Sequence, residues 1–192
     1  MNLYNTIQKN NMKEEIENER KFLVDFDLFK KTEEYYNRTT IEMSQFYIAR
    51  EANNIVRTRS ESKTWTSRHL VPPINSVGRY KLYIKSFQEK LGTKEFHFNL
   101  NSTEFQKLKS TAVSFPVNKK RHIVVFNQQV FHVDEFTGRL HGLVVAEFEY
   151  ETKKQSDSLI KPDWLGKEIT EDKDYSNANL SNIESYKLWK VK

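Results

Sequence analysis

The sequence contains no cysteine. Disulfides, thiolate metal sites and cysteine nucleophiles are therefore excluded. Glycine is scarce: the 5 glycines stand at positions 78, 92, 138, 142 and 166, and no three of them make G-x-G-x-x-G. G-x-x-x-x-G-K-[ST] is missing too, so both common glycine-rich phosphate loops are excluded. H-E-x-x-H does not occur, and the 5 histidines are scattered. No apolar run approaches the roughly 18 residues that a spanning helix needs. Met1 to Glu15 is polar and mixed in charge, without the apolar centre of a secretory leader. The expectation is a cytoplasmic protein with no membrane association. One metal motif fails on inspection. Asp172, Asp174 and Ser176 open like an EF-hand loop, but Asn177 replaces its glycine and Ile183 its closing glutamate.

What is present points to one folded domain. The chain has 192 residues, 13% of them aromatic, which is too many for a disordered chain. Residues 1–14 read as a tail and 15–192 as the domain. Period-two alternation predicts strands at 15–24, 41–49, 54–59, 80–87, 94–100, 119–126, 129–136 and 143–151. A short helix is expected near 31–37 and a longer one at 102–112. The latter would open on a capping box of Thr103 with Gln106 or of Asn101 with Glu104. A last helix is expected at 179–189, with Leu180, Ile183 and Leu188 near one face. Asn127–Gln128 reads as a hairpin turn. Ser60 to Arg79, with Pro72, Pro73 and Gly78, reads as a long irregular loop.

The strands carry unusual charge. Residues i and i+2 of a strand share a face. Glu15, Glu17, Glu19 and Lys21 share one, and Glu147, Glu149 and Glu151 share another. Arg57 with Arg59, Lys81 with Lys85, and Lys119 with Arg121 are aligned in the same way. Each set is nearly single-signed. Carboxylates about 7 Å apart along one strand repel by roughly 0.6 kcal/mol each even in water. A cation between them would remove that cost, and Glu17, Glu19, Glu147 and Glu149 are all-oxygen ligands suited to Mg²⁺ or Mn²⁺. The basic strands call for a polyanion, with Arg57, Arg59, Lys85, Lys119 and Arg121 on phosphate oxygens. Carboxylate-held metal beside a cationic wall is the apparatus of phosphoryl transfer. Charge on the inner face and apolar residues outside would require a wide closed barrel with helices around it. The net charge of +5 is modest, and no basic stripe is interleaved with aromatics, so specific nucleic-acid binding is not expected.

Glu17-Asn18-Glu19-Arg20-Lys21 resembles the E-x-E-x-K signature of the CYTH domain, the triphosphate tunnel metalloenzymes. Further matches follow in order. Gln45-Phe46-Tyr47-Ile48 resembles Q-G-Y-L, Val56-Arg57-Thr58-Arg59 V-R-x-R, Leu82-Tyr83-Ile84-Lys85 L-T-x-K, and Lys119-Lys120-Arg121-His122 K-x-R-Y. Asp134-Glu135-Phe136-Thr137-Gly138 resembles D-x-F-x-G, and Glu147-Phe148-Glu149 resembles E-x-E. The run from Trp164 to Lys173 is similar to W-L-G-x-E-V-T-x-D-x.

The resemblance implies an α+β fold: a closed antiparallel eight-stranded barrel, the triphosphate tunnel, with surrounding helices. It implies Mg²⁺ or Mn²⁺ held by Glu17, Glu19, Asp134, Glu147 and Glu149. Lys21, Arg57, Arg59, Lys85, Lys119, Arg121 and Lys173 would hold phosphate. Lys21 and Tyr47 would be the catalytic pair, with the tyrosine lowered in pKa by an adjacent ammonium to serve as base. The implied activity is hydrolysis of a triphosphate, foremost inorganic triphosphate. The alternatives are a class IV adenylate cyclase, a hydrolase of an organic triphosphate such as thiamine triphosphate, or a binding module without turnover. Family members are often dimeric, so a homodimer is allowed for. The chain departs from the family's R-x-E-x-E, which reads Thr93-x-Glu95-x-His97 here.

Overall fold

The structure is a computed structural model that describes residues 13–16, 18–51, 54–65, 78–88 and 92–189. Its elements are β1 (Lys13–Ile16), β2 (Glu19–Val24), α1 (Phe26–Phe29), α2 (Glu33–Tyr36), β3 (Thr39–Glu51), β4 (Asn54–Trp65), β5 (Arg79–Gln88) and β6 (Gly92–Leu100). Then come α3 (Ser102–Lys109), β7 (Val117–Phe126), β8 (Gln129–Phe136), β9 (Val144–Glu149), α4 (Lys153–Asp157), β10 (Leu165–Glu168), α5 (Asn177–Leu180) and α6 (Tyr186–Trp189).

The architecture is α+β, an antiparallel sheet with short helices. The expected eight-stranded closed barrel is corrected in two respects. Among the described residues there are ten strands, and they pair in the open order β1-β6-β5-β4-β3-β7-β8-β9-β2-β10. The stretch expected as one strand from residue 15 is split, so that β1 pairs with β6 while β2 pairs with β9. β10, on the far side of β2, has no period-two signal and went unforeseen; its register on β2 is irregular.

Several boundaries move. Ser60 to Trp65 continues β4, and Arg79 already belongs to β5, so both ends of the expected loop are strand. Its remainder, residues 66–77, lies outside the described residues. The helix α3 is capped by Asn101 with Glu104, not by Thr103: the Glu104 amide donates to Asn101 Oδ1 at 3.0 Å, and the Asn101 amide donates to Glu104 Oε2 at 2.8 Å. The last expected helix is broken into α5 and α6. Ser and Asn side chains compete for its backbone, as where Ser181 Oγ donates to the Ala178 carbonyl at 2.6 Å. Asn127 and Gln128 do turn the β7–β8 hairpin, both at positive φ, +48° and +63°. No helix among the described residues is long and apolar enough to cross a membrane.

The two sheet faces bury different things. On one, Val124, Phe131, Val133, Ala146 and Phe148 pack under Phe29 and Trp164. Trp164 is buried with its ring 4.9 Å from Phe29 and 5.5 Å from Phe131, so α1 and the segment before β10 are pinned to the sheet together. The other face is charged over most of its length. Toward one end it turns apolar, where Tyr47, Val117, Phe136, Val145 and Leu23 meet Ile169 and Leu180 from the C-terminal segment.

Candidate active site

Cross-strand register brings the charged residues together. Lys21 of β2 lies opposite Glu147 of β9, and Glu19 opposite Glu149. Lys21 Nζ is 2.8 Å from Glu19 Oε1 and 3.6 Å from Glu147 Oε1. Arg121 of β7 faces Asp134 of β8 and grips it with a fork, Nε to Oδ1 at 2.8 Å and Nη2 to Oδ2 at 2.7 Å. The same Nη2 reaches Glu147, and Lys119 Nζ donates to Asp134. The acidic strands β2 and β9 are neighbours, and the cations that offset their repulsion are Lys21 on β2 itself and Arg121, which reaches Glu147 from β7.

Electrostatics follow from this packing. Burial pushes the Glu147 carboxyl up, but Arg121, Lys21 and Lys119 outweigh it and hold it well below the ordinary carboxylate range. Asp134 is likewise held low by Arg121 and Lys119 against burial. Burial works against the Arg121 charge too, but Asp134 and Glu147 keep it firmly protonated. Lys119 is fully buried and shares its carboxylate with Arg121. Burial lowers it to about 8, with Asp134 opposing the shift. Of the two cations on that carboxylate, the lysine is the one that can give up its proton.

A second group is built on β4, β5 and β6. Glu95, buried, accepts from Arg57 Nη2 at 3.4 Å and Lys85 Nζ at 2.8 Å. Arg57 also donates to Gln45 Oε1 at 3.2 Å. Arg59 pairs with Glu61 at 2.5 Å and donates to the Tyr83 hydroxyl. Both guanidinium groups lie over the Tyr83 ring, at 4.8 and 4.4 Å, and His97 stacks on it at 5.2 Å. Among the described residues, the buried Arg59 Nε has no hydrogen-bond partner. A buried guanidinium N–H without an acceptor suits an incoming anion.

The remaining expected residues are Glu17, Lys173 and Tyr47. Glu17 lies outside the described residues. Lys173 is exposed on the 3₁₀ turn Lys173–Tyr175. Tyr47 is buried at the apolar end of the face, and its pKa is raised, not lowered. Burial dominates there, and the opposing cations are Arg57, Lys85 and Arg50; Lys21 is engaged with Glu19 and Glu147.

Gln45, Glu61, Tyr83, Glu95 and His132 belong to these networks without having been singled out as site residues. Period two places Glu95 and His132 on charged faces, but their partners depend on register, which spacing alone does not give. His132, Glu147 and Glu149 offer ligand atoms that all lie within 4.8 Å of one another. One imidazole and two carboxylates gathered in this way are candidate ligands for a divalent cation.

Fold and site define a class: an antiparallel sheet that concentrates buried carboxylate–cation clusters on one face. No protein-family model matches the chain. It is 31% identical over 103 residues to the inorganic triphosphatase of Nitrosomonas europaea, covering 53% of this chain and 68% of that one. It is 32% identical over 100 residues to the inorganic triphosphatase of Acetivibrio thermocellus, covering 52% of this chain and 63% of the relative. The solved structure of the inorganic triphosphatase NE1496 superposes with a TM-score of 0.58 at 25% identity, over 88% of this chain and 96% of that one. The chain belongs to the CYTH family of triphosphate tunnel metalloenzymes.

Proposed function

We propose that the protein is a divalent-metal-dependent triphosphatase whose foremost substrate is inorganic triphosphate. The observation that carries this is the single sheet face bearing both the Glu147–Arg121–Asp134–Lys119 cluster and the Arg57–Lys85–Glu95 cluster. Likeness to two inorganic triphosphatases supports it.

In this reading the sheet is the wall of a tunnel. β1 and β2 are separated by two residues and pair with β6 and β9. Taken as one interrupted strand, they join the two ends of the series β6 to β9 into an eight-stranded ring, with β10 appended. Arg57, Arg59 and Lys85 bind the triphosphate oxygens from one wall, and Arg121 and Lys21 from the other. Glu147, Glu149 and Glu19, with Glu17, hold Mg²⁺ or Mn²⁺. When bound, the ion supplies charge neutralisation at the phosphoryl oxygens. Asp134, with both oxygens engaged by Arg121 and Lys119, orients those cations. Tyr47 keeps its proton at neutral pH, and its hydroxyl oxygen accepts from Arg57 and so positions that guanidinium; it does not serve as a base.

The test is a product assay with Mg²⁺ and with Mn²⁺ on inorganic triphosphate, ATP and thiamine triphosphate. Orthophosphate released mainly from inorganic triphosphate is the expected result. Cyclic AMP with pyrophosphate would identify a cyclase, and no product from any substrate would sink the hydrolase reading. Glu147→Gln is expected to lower kcat/KM by about 100-fold or more with the circular dichroism spectrum unchanged.

A further inference from the structure

We propose that His132 is a direct nitrogen ligand to the divalent ion, completing a His–Glu–Glu donor set with Glu147 and Glu149. The inference rests on the metal site proposed above and specifies its chemistry: the site favours a first-row transition ion such as Mn²⁺ over Mg²⁺.

His132 of β8 lies directly opposite Glu147 of β9, and Glu149 is the next residue on that face. Two adjacent strands therefore present three donors to one point, within 4.8 Å of each other. His132 Nδ1 is 3.1 Å from Glu149 Oε1. Neighbouring ligands each about 2.1 Å from an octahedral ion lie roughly 3.0 Å apart, so these two atoms already stand at ligand spacing. Arg121 Nη1 comes within 3.5 Å of the same nitrogen.

The surroundings favour occupancy. Glu19, paired with Lys21 at 2.8 Å, lies directly opposite Glu149, so a further carboxylate stands beside the donor set. His132 and Glu149 border a groove of about 420 Å³ with Gln129, Gln155 and Ser158, which gives a hydrated ion a route in. His132 has no place in the apolar clusters that hold the fold. Mg²⁺ prefers all-oxygen shells and gives up water reluctantly, whereas imidazole favours transition ions.

The experiment is pulsed EPR of Mn²⁺ bound to the full chain without substrate, with titrations of Mn²⁺ and Mg²⁺ affinity. The wild type should show coupling from a directly bound imidazole ¹⁴N, and His132→Gln should lose it. Mn²⁺ affinity in that variant should fall about tenfold or more, at least what loss of an outer-shell partner costs. In His132→Asp, which restores an oxygen donor, the preference for Mn²⁺ over Mg²⁺ should shrink; a purely structural histidine would weaken both ions alike. Absence of the nitrogen coupling in the wild type, or its persistence in both variants, overturns the proposal. Orthophosphate release without nitrogen coupling defeats this inference alone, and coupling without release defeats the triphosphatase reading alone.

Discussion

At the scale of single residues, the site is a set of shared carboxylates. Glu95 serves Arg57 and Lys85, and Asp134 serves Lys119 and Arg121. An arriving triphosphate competes for those cations. Lys85→Ala is accordingly expected to weaken triphosphate binding by about 10- to 100-fold in calorimetry, the range for one charge-assisted hydrogen bond. A different residue pair governs acid sensitivity. The hydrogen bond from Arg20, at 2.9 Å from Nε, lowers the Glu168 pKa from 4.5 to about 2. A depressed carboxylate contributes stability above its unfolded pKa and loses it as the pH falls. This pair therefore stabilises above pH 4.5 and fades toward pH 2, by an amount reduced by screening because Glu168 is about one-third exposed. Urea unfolding across that window should show a flatter acid limb for Arg20→Ala, and an unchanged slope would refute the assignment. The charged residues were legible from period two alone. Their partners were not, because Lys85 with Glu95 and Arg121 with Asp134 meet only through register. Tyr47 was misjudged for the same reason: the motif identifies the residue, but burial sets its acidity.

At the scale of elements, the turn and second strand of the β7–β8 hairpin were legible to the residue, with Gln129–Phe136 as expected and Asn127–Gln128 at the turn, while β7 begins two residues earlier than expected, at Val117. Two consecutive positive φ values define a type I′ turn, in which asparagine is favoured first and glycine second. Gln128 pays the side-chain strain of that conformation. Gln128→Gly is expected to stabilise the protein by about 0.5–1 kcal/mol in denaturant titrations, and a loss of stability would count against the turn geometry. The unforeseen elements lack such local marks. β10 has only four residues and is held by its pairing with β2 and by Trp164 beside it. The break between α5 and α6 falls in a run of Asn and Ser whose side chains bind the backbone, although its apolar spacing reads as one helix.

At the scale of the molecule, the sequence told which side chains share a face but not how the sheet ends. Antiparallel class follows from alternation; closure depends on one strand pairing at both ends of the series, a non-local property. The apolar end of the charged face has a mechanical corollary. Leu23, Val117, Phe136 and Val145 are capped there by Ile169 and Leu180. If the ring closes as proposed, the passage is a blind alley with a single mouth. Spent orthophosphate must then back out along the path by which fresh triphosphate arrives, past the same arginines. Traffic of this kind makes orthophosphate a competitive inhibitor, raising KM without changing kcat. Leu180→Asp, which would unstopper the far end, should relieve that inhibition if the variant stays folded. Inhibition by orthophosphate that lowers kcat at constant KM would show instead that the product has its own exit.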